Sequence, residues 1–241
     1  MATQEERDEV LAPFAGLRVT DVCDGMDAMS LQDVGLVDRE IRPLWRDTDE
    51  FKHRVCGIAH TMRFVPTNKR APAFESPEEF NRWKGEWYGN LAQGPLSKEL
   101  RDGDVIVIDA AGVRDCGFIG SHNSLQWMAA GVRGAVTNGG ARDTDEIIKQ
   151  GFPVYCPGVS RGIRPGRLEL ESTMKPVTVG GVFVRPGDVV VADGDGVIVV
   201  PWEKARAVAE FAAAVQAGDS AGRRKLYEKI GLPLDFTVEP E

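Results

Sequence analysis

The chain has 241 residues, 42% hydrophobic and 27% charged, which is enough to build one large core. Its 29 Lys and Arg against 37 Asp and Glu give a net charge of −8, which argues against nucleic acid as a partner. No apolar stretch approaches the roughly 20 residues of a membrane-spanning helix. The polar start MATQEERDEV has no signal-peptide core. We therefore expect a cytoplasmic protein without a membrane partner.

The N-terminal half is predicted to begin with two helices. The first covers residues 4–15 and the second opens at Thr20 or Asp21, and a strand follows at Val55–Phe64. The stretch 66–98 differs from its surroundings and is interpreted as an insertion. It forms either a surface helix packed on the core, or a lid or subunit contact. Its aromatic residues are Phe74, Phe80, Trp83, Trp87 and Tyr88.

The central part alternates strands with helices, as in layered α/β proteins. Arg161 and Arg164 follow it, and they are interpreted either as ligands of a substrate carboxylate or as a subunit contact. The predicted elements are strand Val105–Ile108, helix Ser121–Ala130, strand Gly134–Thr137, helix Thr144–Gln150 and strand Val154–Cys156.

The C-terminal part is predicted to contain four short valine-rich strands and two helices. Gly180-Gly181 supplies the positive-φ positions of a tight hairpin turn between the first two strands. The mixture of elements predicts a single α/β domain over 1–241, with a helical segment at 202–241. The strands are Val177–Val179, Val182–Val184, Val189–Val191 and Val197–Val200, and the helices run from Trp202 to Ala217, before Gly218, and from Ser220 to Lys229.

The segment GAVTNGGARDTDEI, residues 134–147, carries the most informative functional pattern. A buried strand runs into Asn138-Gly139-Gly140 and then into Arg142-Asp143 before a helix. Two glycines after a strand would let the backbone approach a ligand closely. Arg142 offers a planar fork for a carboxylate, and Asp143 offers a hard oxygen beside it. The segment therefore indicates a site for an anionic substrate and a metal.

The same residues also have a structural interpretation. Asp143 and Glu146 have the D-x-x-E spacing of a capping box, with Asp143 at the N-cap of the helix. The two roles are compatible because a carboxylate has two oxygens. The chain has only three histidines, whose spacing matches no zinc motif, so a metal here would be Mg²⁺ or Mn²⁺.

Two long blocks resemble the RraA-like family, which includes the 4-hydroxy-4-methyl-2-oxoglutarate aldolases. They are GVRGAVTNGGARDTDEI, residues 131–147, and PVTVGGVFVRPGDVVVADGDGVIVVP, residues 176–201. RDGDVIVIDAAG (101–112) and GLRVTDVCDGMDAM (16–29) fit more loosely.

The resemblance implies an α/β fold of the β/β/α swivelling type. It also implies homotrimers or homohexamers with the active site between neighbouring subunits. The functional motif of the family, an Arg-Asp pair with an acid three residues later, maps onto Arg142, Asp143 and Glu146. The resemblance thus implies that Asp143 and Glu146 hold Mg²⁺, largely through water, and that Arg142 holds the pyruvoyl end of the substrate.

The sequence departs from the aldolases at an acidic residue that they carry ahead of the motif arginine. Ser121 stands at that position and cannot act as an acid at neutral pH. The neighbouring His122 can, unless it is an ordinary histidine at a helix start. The predicted catalytic residues are Arg142, His122 and Ser121, and the predicted substrate-binding residues are Arg142, Gly120, Ser121 and Asn123.

Together with these residues, the resemblance implies a class II, metal-dependent lyase for a small 2-oxo acid. Arg142 and the metal would stabilise the pyruvate-like enolate formed in retro-aldol cleavage or oxaloacetate decarboxylation, and His122 or a metal-bound water would protonate it. One alternative is a lyase or dehydratase for another hydroxy or sugar acid on the same site. Another is a non-enzymatic ribonuclease-binding regulator, as the founding members of the family are. The intact Arg142-Asp143-x-x-Glu146 set favours an enzyme.

Overall fold

The computed structural model describes residues 2–95 and 97–238 as an α/β fold around one large mixed sheet. Met1, Leu96 and residues 239–241 lie outside the described residues, although they belong to the predicted domain 1–241, insertion 66–98 and C-terminal segment 202–241. The helices are α1 (Gln4–Leu11), α2 (Val19–Ala28), α3 (Pro77–Asn90), α4 (Ser121–Ala129), α5 (Thr144–Gln150) and α6 (Ala205–Ile230). The strands are β1 (Arg42–Pro43), β2 (Val55–Pro66), β3 (Asp104–Asp109), β4 (Gly117–Ile119), β5 (Gly134–Thr137), β6 (Gly140–Ala141), β7 (Val154–Cys156), β8 (Leu168–Thr173), β9 (Val177–Val179), β10 (Val182–Val184), β11 (Val189–Asp193) and β12 (Gly196–Val200).

The centre of the large sheet is parallel, in the order β7-β5-β3-β2. Antiparallel strands extend it on both sides, with β1 beside β7 and with β11 and then β12 beyond β2. The second half of β2 also pairs with β8, and a bulge between Arg63 and Phe64 shifts the register of this pairing. β1 at one end contacts β12 at the other, so the sheet is nearly closed into a barrel.

Along each strand, side chains point alternately into the interior of this barrel and outward to the helices, because successive residues of a strand face opposite sides of the sheet. On β3, Val105 and Val107 belong to the interior cluster, whereas Ile106 and Ile108 pack toward the helices. The interior is filled by the β9–β10 hairpin, whose valines join the same cluster. The predicted hairpin is confirmed, and both glycines of Gly180-Gly181 have positive φ, at 54° and 82°.

Several predicted helix boundaries differ from the structure. α1 ends at Leu11, ahead of the predicted residue 15, because a 3₁₀ turn that contains Pro13 follows at Ala12–Phe14. α6 continues through Gly218, so the predicted break into two helices there is wrong. A glycine in a helix costs only about 1 kcal/mol, and the buried Val208 and Ala212 earlier in α6 pack on the core. α2 begins at Val19, whereas the prediction placed its start at Thr20 or Asp21. The Asp21 carboxylate accepts a hydrogen bond from the amide of Arg18, the residue just before the helix, at 2.9 Å.

The segment 66–98 contains α3, which packs on the core as one of the two interpretations predicted. Trp87 is buried, and its indole Nε1 donates to the Leu168 carbonyl at 2.9 Å. Phe80 and Trp83 lie on the same side of α3, and the Trp83 and Trp87 ring centroids are 5.4 Å apart. No helix in the described ranges is long and apolar enough to cross a membrane.

Candidate active site

A pair of very short parallel strands brings the Arg-Asp motif to the start of α4. β6 pairs with β4, and the Arg142 amide donates to the Ile119 carbonyl at 2.8 Å. The chain after β6 therefore runs beside the residues that open α4, although the two segments are far apart in the sequence. Arg142 and Asp143 lie next to Gly120 and Ser121 as a result.

Asp143 interacts with α4 and not with the first turn of its own helix. Its carboxylate Oδ2 accepts from the Ser121 amide at 3.2 Å and from the Ser121 hydroxyl at 3.4 Å. Asp143 precedes α5 but makes no side-chain capping bond, so the predicted capping box with Glu146 is wrong. The reason is its left-handed backbone, with φ 53°, whereas a capping residue needs an extended one. The carboxylate instead lies at the positive end of α4, where its charge is stabilised.

Arg142 is oriented by its neighbour and by two glycines. Its Nε donates to Asp143 Oδ1 at 3.1 Å, whereas its terminal Nη groups form no hydrogen bond with the described part of the chain. A Cβ on Gly117 would lie 2.5 Å from Arg142 Cγ, and a Cβ on Gly120 would lie 2.8 Å from Asp143 Oδ2. The absence of side chains at these positions makes room for the Arg-Asp pair.

The Arg142–Asp143 pair lines a cavity of about 510 Å³. Gly120, His122, Asn123, Arg142 and Asp143 line it, so five predicted site residues meet there. His122 is exposed in the first turn of α4, with its ring on the same cavity. The predicted Ser121 is not among the lining residues. Its contribution is the pair of hydrogen bonds that hold the Asp143 carboxylate.

Glu146 is exposed on α5 and is not part of the cavity lining, so its role as a metal ligand stays a prediction. Across residues 2–95 and 97–238, no three His, Cys, Asp or Glu side chains cluster closely enough to hold a metal by themselves. Among the described residues that line the cavity, Asp143 is the one carboxylate. This donor set fits Mg²⁺, which keeps several of its water molecules when one or two carboxylates bind it.

The glycines after β5 have a different role from the predicted one. A Cβ on Gly139 would lie 2.4 Å from the Phe118 ring, and a Cβ on Gly140 would lie 2.3 Å from Ser160 Oγ. Both glycines therefore allow close packing of protein on protein, and the prediction that they admit a ligand is wrong. The glycines on the cavity are Gly117 and Gly120.

Sequence reasoning missed one wall of the cavity. Lys84 and Tyr88 of α3 line it, and their spacing of four residues places them on one helix face, beside the face that packs Trp87. That spacing was visible in the sequence, but nothing in it indicated what the face would meet. Arg164 also lines the cavity and is buried, whereas Arg161 is exposed.

The fold agrees with the comparisons to known proteins. The sequence model of the RraA-like family, described as Aldolase/RraA, matches residues 19–199, which is most of the chain. The protein therefore belongs to the RraA-like family, a class of α/β proteins that contains both aldolases and RraA-type proteins.

Two relatives and one solved structure show the range of this family. Protein DlpA of Legionella pneumophila is 26% identical over 81% of this chain, which matches only 28% of the length of DlpA. "Putative 4-hydroxy-4-methyl-2-oxoglutarate aldolase" of Halalkalibacterium halodurans is 34% identical over 58% of this chain and 67% of its own. Streptomyces coelicolor RraAS2, described as an unusual member of the RNase ES inhibitor RraA family, shares the fold. Its TM-score is 0.64 at 24% identity, over 92% of this chain and 95% of its own.

Proposed function

We propose that the protein is a divalent-metal-dependent lyase that forms a pyruvate-like enolate from a small 2-oxo acid, in an aldolase or decarboxylase reaction. The observation that carries this proposal is the Arg142–Asp143 pair at the start of α4, which lines the cavity and in which Asp143 engages only the Nε of Arg142. The aldolase name carried by the Halalkalibacterium relative supports the same reaction class.

Each residue of the pair has a distinct chemical task. The two Nη groups of Arg142 match the two oxygens of a 2-oxo carboxylate, and their positive charge favours the enolate over the neutral ketone. Asp143 would hold Mg²⁺ or Mn²⁺, which supplies Lewis acidity to the 2-oxo group when bound. The exposed imidazole of His122 lies on the same cavity and would exchange a proton with the enolate carbon.

Proton exchange of pyruvate tests the proposal without knowledge of the natural substrate. Enolate formation should replace the methyl protons of pyruvate with deuterium in D₂O when protein and Mg²⁺ are both present. Proton NMR measures the loss of the methyl signal, with protein plus EDTA as the control. Absence of both exchange and Mg²⁺ binding would instead favour the ribonuclease-binding regulator. Mg²⁺ binding without exchange would favour a lyase for another hydroxy or sugar acid.

A further inference from the structure

A second cavity of about 560 Å³ lies between α1 and the start of β3, and Arg7, His60 and Asp104 are part of its lining. We call it the α1 cavity. Among the described residues, none lines both this cavity and the one at the Arg142–Asp143 pair. Small-molecule sites in proteins have volumes of about 300–1,000 Å³. The α1 cavity is therefore large enough for a ligand of its own.

Two buried side chains of this lining have polar atoms without a partner. His60 is 3% exposed and Arg7 is 6% exposed. Within residues 2–95 and 97–238, neither the Nε2 of His60 nor the Nε of Arg7 forms a hydrogen bond. Such atoms are rare in folded proteins because each one is costly to bury. At a cavity, a ligand can supply the missing bond.

The carboxylate of Asp104 contacts both side chains. Its Oδ1 accepts from Arg7 Nη2 at 2.8 Å, and its Oδ2 lies 3.7 Å from His60 Nδ1. Burial alone would raise the pKa of Asp104, but its contacts with His60, the Arg101 amide and Arg7 lower it, so the group is ionised at neutral pH. A carboxylate that faces Nδ1 favours a proton on that nitrogen, which makes Nε2 of the neutral ring a hydrogen-bond acceptor. The cavity thus offers an acceptor on His60 and a donor on Arg7.

The charges of the lining balance one another. Among its described residues, four Arg and Lys stand against four Asp and Glu. Arg7 is paired with Asp104, and Arg185 with Glu203 at 3.3 Å. In the cavity at the Arg142–Asp143 pair, by contrast, cations outnumber carboxylates. The α1 cavity therefore has no excess charge that would attract an acid.

Apolar side chains complete the lining, among them Ile58, Met174 and Trp202. Met174 has a left-handed backbone with φ 49°, which is unfavourable for a bulky residue. Its amide donates to the Thr61 carbonyl at 2.9 Å, so the fold holds this residue in the strained conformation. Backbone strain of this kind is concentrated at functional sites.

We propose that the α1 cavity binds a neutral organic molecule that carries a hydroxyl group on an apolar body. The hydroxyl group donates its proton to His60 Nε2, and its oxygen accepts from Arg7 Nε. A carboxylate fits poorly, because it has no proton to donate and Asp104 already neutralises Arg7. An ammonium group fits poorly as well, because it has no acceptor for Arg7. This inference is independent of the proposed function, since it concerns another cavity and another class of ligand.

Benzyl alcohol and ethylbenzene test the assignment, because they differ only by a hydroxyl in place of a methyl group. The chain has three histidines, so nitrogen-15 NMR can resolve each imidazole. Benzyl alcohol should shift the Nε2 signal of His60 in a saturable way, and benzoate at the same concentration should leave it unchanged. His122, on the cavity of the Arg142–Asp143 pair, is the internal control. A shift of His122 without His60 would place the ligand in that cavity and overturn the assignment.

A variant separates the hydroxyl contact from the apolar ones. Ligand-observed NMR gives the dissociation constants of ethylbenzene and benzyl alcohol, and their ratio measures the preference for the hydroxyl. In His60→Phe this ratio should fall about fivefold or more, the value of one hydrogen bond lost by a buried hydroxyl, while ethylbenzene still binds. His122→Phe is the matched control and should keep the wild-type ratio.

The outcomes decide the inference without reference to pyruvate exchange. No saturable shift of His60, an equal shift with benzoate, or an unchanged ratio in a folded His60→Phe protein would overturn it. If His60→Phe fails to fold by circular dichroism, Arg7→Lys is measured instead. Lysine keeps the charge next to Asp104 but lacks the Nε donor, so the ratio should again fall, and an unchanged ratio would overturn the assignment.

Discussion

The residue Asp143 has a left-handed backbone conformation, with φ 53°. Asp and Asn tolerate this conformation better than most other residues. Asp143→Asn should therefore keep this conformation and one acceptor for the Ser121 amide. A neutral amide is a poor ligand for a hard dication. We expect a melting temperature close to wild type, measured by calorimetry without metal, and nearly complete loss of Mg²⁺-dependent pyruvate exchange. Asp145→Asn, an exposed change in the same helix, is the control and should remain active.

Gly117 is the residue whose replacement should displace Arg142. A Cβ there would meet Cβ, Cγ and Cδ of Arg142 within 3.0 Å, and these atoms lie too close to the backbone to move away easily. A shift of the guanidinium by about 1 Å can cost roughly 10²-fold in rate. Gly117→Ala should lower the exchange rate by about that factor in a folded protein. Gly85→Ala, with open space around the new Cβ, should leave the rate unchanged. A wild-type rate in Gly117→Ala would show that Arg142 does not act in this position.

His122 is predicted to move the proton, and His122→Ala separates that role from binding. A positioned acid or base contributes about 10²–10⁴-fold, so the exchange rate should fall within that range. The affinity for pyruvate should stay close to wild type, because Arg142 and Asp143 are untouched. Gln126→Ala, at an exposed position of α4 on the same cavity, is the matched control. An unchanged rate in His122→Ala would identify it as an ordinary surface histidine.

The sequence was sufficient to find Arg142 and Asp143, because the motif is contiguous and the chemistry of both side chains is local. It was insufficient for the orientation of Asp143. The D-x-x-E spacing correctly describes a helix start, but the β4–β6 pairing and the left-handed backbone direct the carboxylate to Ser121. Arg161 and Arg164 could not be separated either. Burial at Arg164 comes from Phe64 and Tyr88, which are remote in the chain.

At the scale of elements, strong periodic segments were predicted well. β5, α5 and β7 have the predicted bounds, because each is an apolar run or a helical pattern between clear breakers. The six-residue β8 was not predicted, and neither were β1, β4 and β6, whose two or three residues include proline or glycine and lack the apolar run that marked β7. The last two of these build the site. The short strands that build the site thus form because of pairing with residues that are far away in the sequence.

The continuous course of α6 leads to a stability prediction. Gly218 lies inside the helix with open space around it, so Gly218→Ala should raise the free energy of unfolding by roughly 0.4–1 kcal/mol. Gly231 ends the helix with φ 73°, where an added Cβ is strained. Gly231→Ala should lower the free energy of unfolding. Urea denaturation measures both variants, and a destabilised Gly218→Ala protein would indicate that α6 is interrupted at this residue.

For the whole molecule, the alternation of strands and helices was enough to predict the α/β class. Closure of the sheet was not predictable, since it depends on β1, two residues long, lying close to β12. The cytoplasmic location and the oligomeric state stay predictions. Neither follows from the fold of one chain.

We expect a ring of three subunits, or a pair of such rings, with closed symmetry. Large apolar side chains of the described surface are exposed, including Val159 at 67%, Phe183 at 58% and Phe211 at 47%, and an interface would cover part of this area. Sedimentation equilibrium at micromolar concentration should give three or six times the chain mass of 26.3 kDa. A stable monomer would contradict this prediction. It would also contradict the expectation that the active site lies between neighbouring subunits.

The pairing of β4 with β6 also has a consequence for how the chain can change in length. The Arg142 amide is fixed to Ile119, so one residue inserted between Ile119 and Ser121, or between Gly140 and Asp143, would separate the carboxylate from the start of α4. The turn after α4 and the segment before α3 lie outside this pairing and can lengthen without moving the pair. Insertions and deletions should therefore alter the walls of the cavity, and so the range of ligands, while the Arg-Asp centre stays in place.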